Sequence, residues 1–377
     1  MTKNQYLPDA VTPPGTTLAE TLAELGMSQS ELALRMGRPQ KTLGEIIAGR
    51  SGITPDTALQ LEHVLGIPAR FWIIRELHYQ EWRARQREAV RLRAEQDWLA
   101  ALPVNEMTQR RWIEPADDTV AQLRALLRFF GVASPAEWRQ MWLERKGAFR
   151  EAAATVADAG ALSAWLRKGQ LEAQKIKCAD YNGQEFMRSL QLVRALTVKP
   201  AHQFLADARQ LCAAAGVAFV VLPAPANCHA GGAMQWLTHA KAMLLLSVCH
   251  TTDDQFWFSF FHAAGHIVLH GKREVFVDAS ARESVGELAT TAAPEQAKQE
   301  QEASAFADNL LVLERALRHS MLGHGPEVRV DRICTFARQQ GVTPGIVVGR
   351  LQRAGYLPCS YCNELKMTLD WTTIGTV

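Results

Sequence analysis

Two histidines, His262 and His266, stand four residues apart in the run FWFSFFHAAGHIVLHG, residues 256–271. On a helix, side chains at i and i+4 leave from one face. A pair of imidazoles so placed can hold a metal ion. Unpaired buried polar groups are costly, and a metal would satisfy both rings at once. Hydrogen bonds to backbone would satisfy an ordinary pair of core histidines. Two histidines are too few ligands for zinc, so spacing alone leaves both readings open. The acid-rich segment APEQAKQEQEASAFADNLLVLERAL, residues 293–317, is the source of a third donor. If Phe306, Leu310 and Leu313 set its apolar face, Glu302 falls about 40° from Phe306 and Glu300 about 120° away, at ~100° per residue. Glu302 is therefore the expected ligand and Glu300 the reserve.

Polar residues of a second kind cluster near the N-terminus. QKTLGEII, residues 40–47, carries Gln40, Lys41, Thr42 and Glu45 on one short helical segment, and Arg35, Arg38 and Arg50 lie nearby. Glutamine can pair with adenine, lysine with guanine, and glutamate can accept from cytosine, while the arginines can neutralise phosphates. Residues 1–75 carry as many acidic as basic residues, so a packing module without DNA is the alternative. A C-x-x-C at Cys359 and Cys362 has no second pair at zinc-ribbon spacing and is a weak metal signal.

The elements that must position these groups are legible in outline. LAETLAELG places Leu18, Leu22 and Leu25 at helical spacing, with Gly26 as a stop. Ser28 followed by Glu31 is a capping box, Gly37 ends that helix, and Thr54-Pro55 opens a later one. Two short helices around a Gly-containing turn form a helix-turn-helix pattern. Residues 79–102 predict an arginine-dense helix whose interleaved acids favour a solvated or inter-domain face over DNA. VAFVVLP, GGAMQWL and AMLLLSV predict three strands. TDDQFWFSFFHAAGHIVLHG, apolar on every side, predicts a buried helix, capped by Asp253 or Asp254. The expected fold class is α+β and mostly helical. An all-α helix-turn-helix domain (1–80) precedes a helical middle region (81–199) and a domain with a small sheet around the histidine-bearing helix (200–377).

The whole chain sets bounds. At 377 residues and 47% hydrophobic it can bury several cores and is not disordered. No apolar run reaches the ~18 residues that span a bilayer, and the N-terminus lacks signal-peptide order. Seven cysteines in a long chain read as free thiols in a reducing compartment. A cytoplasmic location without membrane contact is expected. A net charge of +2 neither requires nor excludes nucleic acid.

MSQSELALRMGRPQKTLGEIIAGRSGITPDTALQLEHVLGIPARFW resembles the Cro/repressor-type DNA-binding domains, in particular the HigA-like antitoxin branch, over roughly residues 14–80. The resemblance implies a second helix lying in the major groove of an operator. Gln40, Lys41, Thr42 and Glu45 would face bases, and Gln29, Arg38 and Arg50 would hold phosphates. Reading a palindrome implies a homodimer.

FWFSFFHAAGHIVLHGKREVFVD followed by EQEASAFADNLL resembles the ImmA/IrrE-type zinc metallopeptidases, whose members run HExGH and then ExEAxxFAxxLL; the likeness spans roughly residues 200–371. It implies that residues 200–377 form a zincin-like metallopeptidase domain with one Zn2+ on His262, His266 and Glu302, and cleavage of a partner protein, a repressor or toxin. Stress response, phage defence or a toxin–antitoxin system would be the setting. An edge strand pairing with extended substrate is expected at Gly231, Gly232, Ala233, Met234 and Gln235, unless the glycines only make a turn. His229, His270 and Tyr356 are candidates for oxyanion stabilisation. Ala263 departs from the family: that position holds the glutamate that takes a proton from metal-bound water and passes it on. Zinc binding should survive and proteolysis should not. Both histidines, the following glycine and Glu302 are intact, which favours a deliberate Glu-to-Ala change, made to trap substrate or stop self-cleavage, over a natural pseudoenzyme. The alternative function is a non-proteolytic, antitoxin-like repressor whose peptidase fold binds a partner or senses a ligand.

Overall fold

A computed structural model describes residues 11–143, 156–249, 251–271, 275–278, 294–322 and 329–371. The segment SPAEWRQMWLERKGAF predicts a helix, and its end lies outside the described residues. The chain divides into two compact units, Met1–Gln96 and Asp97–Val377.

The first unit is all helical: α1(Pro14–Glu24), α2(Gln29–Met36), α3(Gln40–Ile47), α4(Pro55–Leu65) and α5(Ala69–Ala94). Local chemistry sets its ends. Ser28 Oγ accepts the Glu31 amide at 3.1 Å and Thr54 Oγ1 accepts that of Thr57 at 3.2 Å, satisfying donors that a helix start leaves unpaired. Gly26 and Gly37 turn the chain at φ +62° and +63°, the left-handed conformation that glycine adopts at no steric cost. Leu18, Leu32, Leu43, Leu61 and Trp72 are fully buried at the centre of this unit. Leu25, expected on the inward face of α1, is 55% exposed. It caps the helix, where the chain turns away from the core. The boundary expected near residue 80 falls inside α5. Glu76 ties that helix back to the unit by accepting the Ile53 amide at 3.0 Å.

In the second unit, α6(Val104–Gln109), α7(Thr119–Phe130), α8(Pro135–Trp142), α9(Val156–Lys175), α10(Gly183–Ala195) and α11(Ala201–Ala214) precede the sheet. The expected boundary near Lys199–Pro200 falls at the start of α11. Trp98, Trp138, Trp142 and Trp165 are buried, and Trp165 Nε1 donates to the Leu222 carbonyl at 3.2 Å. These tryptophans are core and inter-element contacts.

The sheet has the strands β1(Val217–Leu222), β2(Gly232–Thr238), β3(Lys241–Ser247) and β4(Val275–Asp278) in the order β1-β3-β2-β4. β1 and β3 are parallel, and β2 is antiparallel to both β3 and β4. Alternating side chains serve opposite faces. Phe219, Met234, Leu244 and Leu246 join the core beneath α12(Asp253–Leu269), and Leu245 packs on α9 at Gly169. The near-continuous apolar runs of β1 and β3 follow from burial on both faces.

α12 is covered by the sheet, by α13(Pro294–Leu311) and by α16(Pro344–Arg353), after α14(Glu314–Leu317) and α15(Val330–Gln340). Neither Asp253 nor Asp254 caps it. Thr252 is the N-cap residue, and both acids lie buried in the first turn. Asp253 accepts from the Met367 amide at 2.9 Å and from Thr343 Oγ1. Asp254 pairs with Lys366 Nζ at 2.9 Å. They anchor the helix to the C-terminal segment, a role that needs tertiary partners and is invisible in local sequence.

Candidate metal centre

The buried face of α12 presents His262 and His266, 5% and 1% exposed. Their Nε2 atoms point at each other, 3.1 Å apart. Glu300 of α13 completes the group: Oε2 lies 3.1 Å from His262 Nε2 and Oε1 lies 3.5 Å from His266 Nε2. The three ligand atoms lie within 4.8 Å of one another. Two imidazole nitrogens and a carboxylate oxygen are a donor set that suits zinc.

Glu302 is not in this group. Its Oε2 lies 3.2 Å from His270 Nε2, so the carboxylate that converges with the histidines is the reserve, Glu300. The reason is the face on which α13 packs. Ala303, Ala307 and Leu311 are its buried residues, whereas Leu313 lies beyond the helix and is 48% exposed. At ~100° per residue, Glu300 falls within about 60° of all three, and Glu302 falls on another side. The two helices approach at Gly265, where an added Cβ would sit 3.2 Å from the Cα and carbonyl oxygen of Ala303. Small residues mark the crossing, and the large ones, Phe306 and Leu313, do not mark the buried face.

Around the three ligands, His262 Nδ1 faces Ser304 Oγ at 3.3 Å and His266 Nδ1 faces His270 Nδ1 at 3.0 Å. The His266 ring stacks on Phe276 of β4 with centroids 3.9 Å apart. Asp278 accepts from Ser259 Oγ at 3.0 Å. Burial pushes the His262 pKa down, but the Glu300 hydrogen bond and the charges of Asp278, Glu300 and Asp308 outweigh it, so the pKa is raised. For His266, burial and the neighbouring charges of His262 and His270 win over Glu300, and the pKa is lowered. Burial raises the Glu300 carboxyl, yet its hydrogen bonds to both histidines bring it down to about 2. The pocket thus favours a positive charge among its ligand atoms. A shared proton or a cation supplies it.

Ala263 is 4% exposed beside His262 and brings no proton-carrying group. Gly231–Gln235 do not form an open edge. Gly232 to Gln235 pair with β3 on one side and β4 on the other. The Gly231 amide and carbonyl bond to Asp278 and Ser247 at 2.8 and 2.9 Å. Backbone already paired in two directions cannot take a third strand; β1 and β4 are the sheet's edges among the described residues. Of the oxyanion candidates, His270 has both ring nitrogens engaged and His229 is half-buried in the loop before β2. Tyr356 lines a groove of about 630 Å3 with Glu300, Ser304, Arg318 and Arg350, beside the ligands. The C-x-x-C is a turn drawn together by Gln352, whose amide reaches the carbonyls of Pro358, Cys359 and Tyr361.

In the first unit, Gln29, Gln40, Lys41 and Arg50 are exposed, and Thr42 and Glu45 are half-buried along α3. Arg38 is also half-buried, with Nε donating to Gln60, so it is braced against α4.

Residues 18–72 match the helix-turn-helix family, and residues 216–352 match the IrrE N-terminal-like domain family, peptidase M78. An uncharacterised HTH-type transcriptional regulator of Escherichia coli (strain K12), YddM, is 32% identical over 60 residues, 16% of this chain. The match spans 64% of that regulator, under two thirds of its length. A putative antidote protein of a plasmid maintenance system from Nostoc punctiforme is similar at 30% identity, over 20% of this chain and 84% of that one, with a TM-score of 0.20. A HigA-family addiction module antidote protein from Coxiella burnetii is similar at 32%, over 22% and 92%, with a TM-score of 0.21. No helix among the described residues is long and apolar enough to cross a membrane. The chain joins a domain of the helix-turn-helix family, at its N-terminal end, to a domain of the IrrE N-terminal-like peptidase family.

Proposed function

We propose that this chain is a DNA-binding transcriptional regulator whose second unit holds one zinc ion on His262, His266 and Glu300. The convergence of those three ligand atoms carries the reading. Bound zinc would polarise a substrate carbonyl and acidify a water. The chain's own residues would orient the site: Ser304 contacts His262, Phe276 stacks on His266, and the groove at Tyr356 offers room for an extended chain. Ala263 cannot take up or deliver a proton, so the chain binds its protein partner, a repressor or toxin, without cutting it efficiently. Zinc titration of the full chain tests the centre. We expect one equivalent in the wild type and loss of tight binding in Glu300→Ala. Undiminished binding in that variant would refute the ligand set.

DNA binding rests on the exposure of Gln40 and Lys41 at the start of α3, where a second helix meets base edges. An operator beside the protein's own gene, read by a homodimer in the cytoplasm, is the expected target. A gel shift on that promoter tests it, and unchanged affinity in the Gln40→Ala, Lys41→Ala double variant would remove the assignment. Ala263 also favours the second reading, a repressor whose peptidase fold works only as a binding or sensing module.

A further inference from the structure

We propose that Glu302 and His270 are positioning residues, forming a hydrogen-bonded relay that fixes the ring and the tautomer of His266. The inference rests on the metal reading above.

His266 turns Nε2 toward His262 and Glu300, so holding a cation requires a lone pair on that nitrogen. The ring proton must then sit on Nδ1. His270 Nδ1 lies 3.0 Å away and can accept only if its own proton is on Nε2. There it meets Glu302 Oε2 at 3.2 Å. Every donor along this line has an acceptor.

The opposite tautomers fail at the last step. If a neutral His270 donated from Nδ1 to His266, its Nε2 lone pair would face a carboxylate oxygen at 3.2 Å, acceptor against acceptor. The charge of Glu302 decides the direction of the chain and leaves His266 Nε2 bare toward the site. Among the described residues the partner at His262 Nδ1 is the Ser304 hydroxyl, which rotates to suit and selects no tautomer.

Position supports the role. His270 is four residues beyond His266 on the same stripe, with its side chain 4% exposed and its ring 5.5 Å from Phe276. A ring so enclosed cannot swing out to water. Glu302 also lies 3.9 Å from Lys298, a looser contact at the surface. If that pair were its purpose, Lys298 would matter to the same degree.

Zinc affinity, measured by chelator competition on the full chain, tests the relay. Loss of an outer partner of a metal-bound histidine weakens binding about 10–100-fold. We expect that range for His270→Phe, which keeps a ring beside Phe276, and for Glu302→Ala. The double variant should be no weaker than His270→Phe, because Glu302 acts through His270. Glu302→Gln, which keeps an acceptor, should recover part of the loss, and Lys298→Ala should match the wild type. Nitrogen-15 NMR should show His266 protonated on Nδ1 in the wild type and mixed tautomers in Glu302→Ala. Wild-type protein that holds zinc, with His270→Phe and Glu302→Ala both within twofold of it, would overturn the relay alone. Additive losses in the double variant would also overturn it. Wild-type protein that takes up no zinc would overturn the metal centre, and the relay with it. Glu302 is half-exposed, so Glu302→Ala carries the test if His270→Phe fails to fold.

Discussion

The exposed face of α3 and the buried face of α12 place their polar residues by opposite rules. Gln40 and Lys41 stand in solvent, held by a helix whose core is Leu43 and Ile46. His262 and His266 are sealed inside, and their third partner arrives from another helix, 34 residues beyond His266. An exposed residue keeps its chemistry whatever its neighbours do. A buried one has the chemistry that its neighbours allow. The first kind is read residue by residue, and the second depends on how two helices cross.

The largest expected effect lies where the buried site is incomplete. Ala263→Glu should restore the proton carrier and raise metal-dependent peptide cleavage by ~10²–10⁴-fold. Incubation with the proteins encoded beside this one, with and without a chelator, reads it out. A zinc-loaded variant that cuts none of them would reduce this domain to a binding module.

Next comes the crossing itself. Gly265→Val puts a branched side chain where a single Cβ already meets Ala303 backbone at 3.2 Å. Overpacking of this kind costs about 1–3 kcal/mol, and moving α13 outward should carry Glu300 away from the histidines. Zinc binding should therefore fall along with the melting temperature. A destabilised variant that keeps full zinc affinity would show that the crossing does not set the ligand geometry.

On the exposed face the expectation is different in kind. Gln40→Ala and Lys41→Ala should each leave folding within about 0.5 kcal/mol while losing about 1–3 kcal/mol of discrimination at one base pair. Losses that fall equally on all sequences would make these residues phosphate contacts and blur the contrast between the two faces.

How much was legible follows the same division. The caps at Ser28 and Thr54, the turns at Gly26 and Gly37, the strands β1 to β3 and the all-apolar α12 are fixed by local chemistry, and the structure has them where the pattern puts them. β4 is not legible in the sequence. Four residues, VFVD, are too short a run to announce a strand, and its pairing with β2 is a long-range fact. The same pairing closes the edge that Gly231–Gln235 were expected to offer. Glu300 was within reach of the sequence, because Gly265, Ala303 and Ala307 spell a close helix crossing. Side-chain size drew the helical wheel toward Phe306 and Leu313 instead.

The smallest effect concerns a buried acid that was expected to cap a helix. Asp253 is 1% exposed, and burial raises its pKa even though Thr343 and the Met367 and Asp254 amides favour the ionised form. The native state therefore holds this proton to a higher pH than the unfolded chain, which releases it near ~4. With more protons bound in the native state, stability falls as pH rises through that window. The contribution is complete below the unfolded pKa and gone above the folded one. Asn at this position can accept both amides on Oδ1 and donate to Thr343, so Asp253→Asn removes the charge and keeps the contacts. Thermal melts of the two proteins across pH should show the wild type losing stability relative to Asp253→Asn from about pH 4 upward, then running parallel. Parallel curves throughout would mean that Asp253 ionises in the fold as easily as in water. The rule that burial decides a residue's chemistry would then fail at the base of α12.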